Sequence, residues 1–305
     1  MRVAAVAGGV GGAKLLVGLQ RVAGADLTAI VNTADDAEIY GVHVSPDVDI
    51  VTYWLAGIAD TKRGWGIDGD TFTVVDSLAQ LGAQTWFRLG DRDLATCLYR
   101  TERLRVGEAL SSVTRDVAAA LGVVASVVPM SDDPVRTRVT TEAGDTLEFQ
   151  EYFVREETRP VVKQVLFAGI EGAKPAPGVV EAIQVADLVV VCPSNPIVSI
   201  GPILALPGVR DALREHAHVL AVTPIVRGAA LKGPADRLMA SLGSESSASG
   251  VARLYADFCD VFVVDVSDTA EKQRVETLGI RSATLDTIMS DHDASERLAR
   301  ALIDL

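Results

Sequence analysis

A glycine-rich loop near the start of the chain has the residue types of an anion-binding site. Residues 3–19, VAAVAGGVGGAKLLVGL, pass from an apolar run through a group of glycines to a helical pattern. The candidate binding residues of this loop are Gly8, Gly9, Gly11, Gly12 and Lys14. Such a strand, turn and helix start presents backbone N–H groups and the positive end of the helix dipole. The loop therefore predicts a nucleotide phosphate site.

The loop does not fully match either common nucleotide-binding pattern. Read from Gly9, the G-x-G-x-x-G pattern has Lys14 at its sixth position instead of glycine. The P-loop pattern fails because Ala13 precedes the lysine and Leu15 stands where Ser or Thr would bind magnesium. Two interpretations therefore stay open: a phosphate loop of another kind, or a turn that only packs a helix on a sheet.

Acidic residues follow the second predicted strand and begin the next predicted helix. NTADD places Asn32 and Asp35 where a dinucleotide-binding fold has its ribose-binding carboxylate, although an Asx turn explains the same residues. SPDVD is typical of a capped helix start with Asp49 in its first turn. If Asp49 and Asp60 converge, their carboxylates would hold a magnesium ion.

The motif RLGDRD, residues 88–93, concentrates charge around one glycine. Its candidate ligand-binding residues are Arg88 and Asp91. A guanidinium group offers fixed donors to a phosphate or a planar ligand. The alternative is an ordinary ion-pair network at a helix start.

A loop rich in proline, CPSNPIVSIGP, follows another predicted strand. It holds hydroxyl and amide groups on Ser194, Asn195 and Ser199. Polar groups in a rigid loop suit recognition of a base or a phosphate. The sequence contains no G-x-S-x-G, so nothing supports a serine hydrolase.

The elements that must position these residues alternate along the chain. Apolar runs predict strands at 3–7, 27–32, 124–128, 188–192, 219–223 and 261–266. Helical patterns cover 14–22, 47–58, 73–81, 91–98, 106–121, 178–184, 235–242, 251–258 and 294–303. This order predicts a parallel sheet that is covered on both faces and binds ligands beyond the carboxyl ends of its strands.

One segment departs from this alternation of strands and helices. Residues 136–154 alternate in polarity around an Ala-Gly-Asp turn, which predicts an antiparallel hairpin. We therefore expect an α/β fold, a Rossmann-like three-layer sandwich with a mostly parallel sheet. The prediction is one domain over residues 1–305, with a helical insert at about 55–122 and the hairpin as an addition.

Composition narrows the class of protein. The net charge of −13 disfavours binding to nucleic acid, which needs a basic face. No apolar window is long enough to span a membrane, and the first strand leaves no room for a signal peptide. Three scattered cysteines and four histidines favour neither disulfides nor zinc. We expect a cytoplasmic protein with small-molecule substrates, whose metal would be magnesium or calcium on carboxylates.

Taken together, these motifs resemble one family. GGVGGAKLL, NTADD, SPDVD, KRGWGIDGDTF, LGDRDLAT, PMSDDPV, PSNPIVSIGPIL and GPADRLM occur in the order seen in the 2-phospho-L-lactate and phosphoenolpyruvate transferases. These are the CofD/FbiA enzymes of coenzyme F-420 biosynthesis, and the resemblance extends to about residue 264. It implies transfer of a phosphate-linked three-carbon acid from a guanosine diphosphate conjugate to the deazaflavin Fo. GMP is released, Mg²⁺ is used, and the enzyme is usually a homodimer.

The resemblance also implies roles for individual residues. Asp49, Asp60 and Arg88 would be catalytic, with Asp49 and Asp60 as the metal ligands. Fo would contact Asp49, Arg88 and Asp91. The nucleotide would lie against Gly8, Gly9, Gly11, Gly12, Lys14, Asn32, Asp35, Ser194, Asn195 and Ser199. Asp49 would bind the metal, or would orient the attacking hydroxyl of Fo or accept its proton.

Two alternatives concern the donor and the class of protein. Six lysines against 22 arginines indicate an actinobacterial type of genome, which favours the phosphoenolpyruvyl over the 2-phospho-L-lactyl donor. The alternative function is a CofD-like regulatory protein that binds a nucleotide sugar and lacks transferase activity. SPDVD and RLGDRD favour the enzyme, because a regulator would need only the phosphate loop.

Overall fold

Strands and helices alternate along most of the chain, and the computed structural model describes all residues from 1 to 305. The strands are β1 (Val3–Ala7), β2 (Leu27–Val31), β3 (Ala37–Ile39), β4 (Val42–Val44), β5 (Ser126–Pro129), β6 (Arg136–Thr141), β7 (Thr146–Glu148), β8 (Val162–Ala168), β9 (Leu188–Val191), β10 (Val219–Val222), β11 (Ile225–Val226), β12 (Ala229–Ala230), β13 (Val261–Asp265) and β14 (Arg281–Leu285). The helices are α1 (Gly9–Ala23), α2 (Pro46–Leu55), α3 (Thr73–Gln80), α4 (Asp91–Arg105), α5 (Leu110–Ala120), α6 (Val179–Val185), α7 (Gly201–Ala205), α8 (Val209–Glu215), α9 (Ala235–Ser241), α10 (Ala248–Leu254), α11 (Ala270–Glu276) and α12 (His292–Ile303).

Seven strands form one parallel sheet in the order β14-β13-β10-β9-β1-β2-β5. All six predicted strands lie in this sheet, so the predicted α/β fold is confirmed. The seventh strand, β14, was not predicted. Its sequence RSATL has no continuous apolar run because it lies at the edge of the sheet, where most of its residues stay partly exposed.

The sheet is buried on both faces, which explains why its central strands are apolar throughout. Along β1, Ala4 and Val6 belong to one hydrophobic cluster, whereas Val3 and Ala5 belong to another. Helices α1, α2 and α12 pack on one another and on the second cluster. Helices α6 and α8 contribute to the first cluster. The result is the predicted three-layer arrangement of helices around a sheet.

The predicted hairpin is part of a small antiparallel sheet. Strand β6 pairs with β7 and also with β8, in the order β7-β6-β8. The second strand ends at Glu148, earlier than predicted, because Glu151–Arg155 forms a turn of π-helix. Two further antiparallel pairs, β3-β4 and β11-β12, lie in loops that follow strands of the main sheet.

Helices α3, α4 and α5 occupy the segment where a helical insert was predicted. A separate apolar cluster joins Val75 of α3 and Leu94 and Cys97 of α4 to Val42 and Val44 of β4. The insert is therefore held against the β3-β4 hairpin, close to the carboxyl end of β2.

No single helix is long and apolar enough to cross a membrane. The helical segment Pro196–Ala205 and its successor Val209–Glu215 reach that length and composition together, with a bend of 89° between them.

Candidate functional site

One large cavity, of about 640 Å³, lies at the carboxyl edge of the parallel sheet. Loops that follow β1, β2, β9, β10 and β14 line it, together with residues of the insert and of the segment between β7 and β8. The predicted site residues that line it are Gly8, Gly9, Gly11, Lys14, Asp35, Asp49, Arg88, Ser194, Asn195 and Ser199. Four predicted residues do not line it: Gly12, Asn32, Asp60 and Asp91.

Side chains of the protein itself accept hydrogen bonds from the glycine loop. Helix α1 begins at Gly9, five residues before the predicted start. The N–H of Gly9 donates to Oδ1 of Asp47 at 2.7 Å, and the N–H of Gly8 donates to Oγ of Ser194 at 3.0 Å. Gly9 has φ of +64°, a conformation that favours glycine. A carboxylate thus lies at the helix N-terminus, where an anion is stabilised.

Two of the glycines allow close packing of the loop after β9. A Cβ atom on Gly11 would collide with the carbonyl oxygen of Pro193, and one on Gly12 would collide with Oγ of Ser194. The packing interpretation therefore accounts for these two positions, while Gly11 also lines the cavity. Asn195 begins the helical segment after β9, because its side-chain oxygen accepts from the N–H groups of Ile197 and Val198.

A buried amide connects two of the acidic residues. Nδ2 of Asn32 donates to Asp35 at 3.1 Å and to Asp47 at 3.0 Å, while its Oδ1 accepts from the N–H of Ala34 in an Asx turn. Nε2 of Gln150 donates to the second oxygen of Asp35 at 3.1 Å. Asn32 therefore holds two carboxylates in place instead of facing the cavity.

The pKa values of these two carboxyl groups are raised. Burial, followed by the charges of Asp47 and Asp36, raises the pKa of Asp35 well above its ordinary value. Burial also raises the pKa of Asp47 to about 6, and the hydrogen bonds from Asn32 and Gly9 partly offset this effect. Neither carboxylate has an arginine or lysine as an ion-pair partner. Both line the cavity, and their negative charge is poorly compensated.

Asp49 lies in a second acidic group deeper in the cavity wall. The Arg100 guanidinium donates both its terminal N–H groups to the Asp49 carboxylate, and both side chains are buried. Asp93 accepts from the hydroxyl of Tyr53 at 2.8 Å, and burial, then the charge of Asp49, raises its pKa to about 7. Ligand atoms of Asp49, Asp93 and Cys97 lie within 4.8 Å of one another.

A metal at this second group would compete with a cation that is already present. Arg100 neutralises Asp49, and burial raises the pKa of the Cys97 thiol, which keeps it protonated. The carboxylates that line the cavity without an ion-pair partner are better suited to a hard divalent ion. Asp35 and Asp47 have this property, and the charge of Arg136 is the least of the effects on the pKa of Asp35.

Asp60 and Asp91 have structural partners. Asp60 accepts from the N–H groups of Lys62 and Arg63 and pairs with Nε of Arg63 at 2.8 Å, and the N–H of Arg63 contributes most to its lowered pKa. Asp91 accepts from Oγ1 of Thr71 at 2.6 Å and from the N–H of Thr73 at 3.0 Å, at the start of α3.

The cavity also has aromatic lining residues, which the motifs did not predict. They include Trp65, Trp86, Phe87, Phe149 and Phe153. The rings of Phe149 and Phe153 are stacked at 5.7 Å. Arg88 lies over the ring of Phe72 at 4.6 Å and donates to Asp76 at 2.7 Å. The rings suit a planar ligand, while the glycines, hydroxyls and carboxylates of the same cavity suit a polar one.

Sequence reasoning missed Asp47, Asp93 and these aromatic residues. Asp47 belongs to the SPDVD helix start, where only Asp49 was a candidate, although it is Asp47 that accepts from Gly9 of the glycine loop. The spacing of Phe149 and Phe153 gave no signal, because residues four apart share a face in a strand as well as in a helix.

Over nearly its whole length, the chain is similar to proteins that are named as phosphoenolpyruvate or 2-phospho-L-lactate transferases. The model of the family "2-phospho-L-lactate transferase CofD" matches residues 3–302. A phosphoenolpyruvate transferase from Streptomyces griseus is 43% identical, with 100% of this chain and 98% of the relative covered. A 2-phospho-L-lactate transferase from Methanosarcina mazei is 40% identical, with 97% of each chain covered. A phosphoenolpyruvate transferase from Mycolicibacterium smegmatis is 38% identical, with 100% and 98% covered.

A solved structure shares the fold. The crystal structure of a UPF0052-family protein from Bacillus halodurans superposes with a TM-score of 0.68. The two sequences are 18% identical, and the match covers 99% of this chain and 98% of that one. A sequence identity this low supports a shared fold only, and not a shared function.

Proposed function

The chain belongs to the CofD family, and we propose that it is a transferase of coenzyme F-420 biosynthesis. In this proposal it moves a phosphoenolpyruvyl or 2-phospho-L-lactyl group from a guanosine diphosphate conjugate to the deazaflavin Fo. The products are GMP and (dehydro) coenzyme F-420-0. Relatives named as phosphoenolpyruvate transferases and relatives named as 2-phospho-L-lactate transferases are similarly identical to this chain. We therefore prefer the phosphoenolpyruvyl donor only because of the ratio of arginine to lysine in the sequence.

The single observation that carries the proposal is that one cavity combines two chemically different kinds of lining residue. Ser194 and Asn195, beside the start of α1, offer hydroxyl and amide groups to a nucleotide diphosphate. The aromatic side chains offer flat apolar surface, and Arg88 offers its guanidinium group, to a ring system. A reaction between a nucleotide conjugate and a deazaflavin requires both kinds of lining in one cavity.

In the proposed reaction, the ribityl hydroxyl oxygen of Fo forms a bond to the phosphorus that carries the three-carbon acid. The bond from that phosphorus to the GMP oxygen breaks, and the hydroxyl proton leaves. Asp49 lines the cavity and is fixed by Arg100, and in this proposal it orients the hydroxyl or accepts its proton. The N–H groups of Gly8 and Gly9 already donate to Ser194 and Asp47, so the glycine loop would stabilise the developing negative charge through the positive end of the α1 dipole.

We further propose that Mg²⁺ binds at Asp35 and Asp47, whose uncompensated carboxylates fit a hard cation better than Asp49 and Asp60 do. Asp49 and Asp60 each have an arginine partner. When bound, the ion would supply compensation for charge on the phosphate oxygens. Asn32 would keep both carboxylates directed at it.

The test is to incubate the purified protein with Fo, Mg²⁺ and each guanosine diphosphate conjugate in turn. We expect GMP and a product with the mass of Fo plus the transferred group. The proposal is abandoned if GDP and the conjugates bind but no product forms with either donor, which is the behaviour expected of the regulatory alternative. We also expect a homodimer, which sedimentation of the same preparation will test.

A further inference from the structure

Two lysines face the cavity without any acidic partner. Lys14 and Lys232 both line it, although the chain carries 41 acidic residues. Nζ of Lys14 donates to the carbonyl of Met289 at 2.8 Å, and Nζ of Lys232 donates to the carbonyl of Arg63 at 3.3 Å. Carbonyl groups orient these ammonium groups but do not neutralise them.

The ammonium group of Lys232 packs directly against Gly64, where there is no room for a side chain. A Cβ atom on Gly64 would lie 2.8 Å from Nζ of Lys232 and 3.4 Å from the side chain of Val10. The ammonium group of Lys232 therefore lies between the turn after α2 and the first turn of α1. It reaches this place from a loop far along the chain and ends close to the glycine loop.

The two positive charges lie close enough to disfavour one another. Burial, and then the charge of Lys232, lowers the pKa of Lys14. Two like charges at the positive end of the α1 dipole destabilise the empty site in a chain whose net charge is −13. A bound anion would remove this cost, because it would accept from both ammonium groups at once.

We propose that Lys14 and Lys232 together form an anion subsite for the donor, and that Lys232 is a donor-binding residue of the reaction. The sequence motifs placed Lys14 beside the nucleotide but gave no role to Lys232. The anion is either the diphosphate of the nucleotide or the carboxylate of the three-carbon group. This inference rests on the proposed function, since it concerns the donor of that reaction.

The experiment compares Lys232→Met, which removes the charge, with Lys232→Arg, which keeps it. Lys163→Met is the matched control, because Lys163 is an exposed lysine on β8 that does not line the cavity. Calorimetric titration with Mg²⁺ present gives the Kd of each protein for GDP and for the guanosine conjugates. Urea unfolding of each variant shows that its fold is retained.

We expect Lys232→Met to weaken donor binding by about tenfold or more, which is the effect of losing one charge-assisted hydrogen bond. Lys232→Arg should keep most of the affinity, and the KM for Fo should not change. A loss that is already seen with GDP identifies the diphosphate as the anion. A loss seen only with the conjugates identifies the carboxylate.

The inference is overturned if Lys232→Met binds GDP and the conjugates as tightly as the wild type. It is also overturned if Lys232→Arg loses as much affinity as Lys232→Met, since charge would then not be the cause. A wild-type protein that binds donor but never transfers to Fo contradicts only the proposed function, and the titrations still decide the subsite. Failure of the wild type to bind any donor overturns both.

Discussion

The N–H of Gly9 donates a hydrogen bond to Oδ1 of Asp47 at 2.7 Å, so the anion at the start of α1 is a side chain of the protein. The second oxygen of Asp47 accepts from Asn32 at 3.0 Å. A nucleotide phosphate that approaches this loop meets a carboxylate first. The phosphate and the Asp47 carboxylate are compatible if a cation lies between them. A Mg²⁺ ion bound to Asp47 would therefore allow the nucleotide phosphate to approach the glycine loop.

Replacing Asp47 with Asn tests this arrangement. The amide oxygen can still accept from Gly9, while the amide nitrogen replaces the oxygen that accepts from Asn32, and the charge that holds the cation is lost. Urea unfolding of the variant shows whether the fold is retained. The expected result is a fall in kcat of about 100-fold or more, as for other groups that stabilise transition-state charge. Asp187→Asn is the control, because Asp187 accepts from the N–H of Arg2 at the surface. Equal kcat values for the two variants would remove Asp47 from the site.

Removing magnesium from the wild type gives an independent measurement. A chelator should stop GMP release, and added Mg²⁺ should restore it, because neither Asp35 nor Asp47 has an ion-pair partner and burial raises the pKa of both. Asp47→Asn should need a higher Mg²⁺ concentration for half-maximal turnover than the wild type. Turnover that continues unchanged in the chelator would show that the reaction needs no metal.

Arg100 should matter for stability far more than an arginine at the surface. Arg100→Met leaves Asp49 buried without its partner, and we expect the free energy of unfolding to fall by about 3–5 kcal/mol. Arg103→Met, in the same helix, breaks an exposed pair with Glu108 and should cost no more than about 1 kcal/mol. Urea unfolding followed by circular dichroism measures both. Equal losses would contradict the burial argument.

By the same reasoning, Asp49→Ala is not a clean test of catalysis. It would leave the Arg100 guanidinium buried and unpaired, so lost activity and lost stability would be mixed. Asp49→Asn removes the same charge and has the same problem, whereas Asp49→Glu keeps a carboxylate for Arg100 and displaces it by one methylene, so it is the better variant for measuring turnover.

Arg88→Ala should weaken Fo binding by about tenfold and leave GDP binding unchanged. The guanidinium lines the cavity and lies over the ring of Phe72. Arg92→Ala is the control within the same motif, since Arg92 is exposed and does not line the cavity. Fluorescence titration with Fo and calorimetry with GDP separate the two effects. A loss of GDP affinity in Arg88→Ala would contradict the assignment of Arg88 to Fo.

The sequence predicted the central sheet well because burial on both faces leaves continuous apolar runs such as those of β1 and β9. It did not predict β14, whose edge position permits Arg and Ser. The site was predicted less completely, because its contacts join residues that are distant in the sequence. Local patterns indicated which loops meet at the sheet edge, but not that Arg100, far along the chain from Asp49, neutralises it. Nor could they show that Asp60 pairs with Arg63, because hydrogen bonding within a loop depends on its folded geometry.

Asp93 should make stability fall as the pH rises from about 4 to 7. Its pKa is about 7 in the folded protein, mainly because of burial, against an ordinary value of 3.8. Between these values the folded state binds more protons than the unfolded state, so the free energy of unfolding decreases with pH. Its contribution is fully present below about pH 4 and is lost as the pH passes the folded pKa. Asp93→Asn removes this titration, so the variant should gain stability relative to the wild type as the pH rises across this range.

Urea unfolding of both proteins at several pH values measures this difference. Asp257→Asn is the control, because the pKa of Asp257 is shifted in the opposite direction: the Arg210 side chain lowers it to about 2. The stability that Asp257 contributes is present above about pH 4 and is lost as the pH falls towards 2, so its variant should show no change between pH 4 and 7. A difference between Asp93→Asn and the wild type that stays constant from pH 4 to 7 would show that Asp93 is ionised throughout. In that case the burial of its carboxyl group would not control its charge.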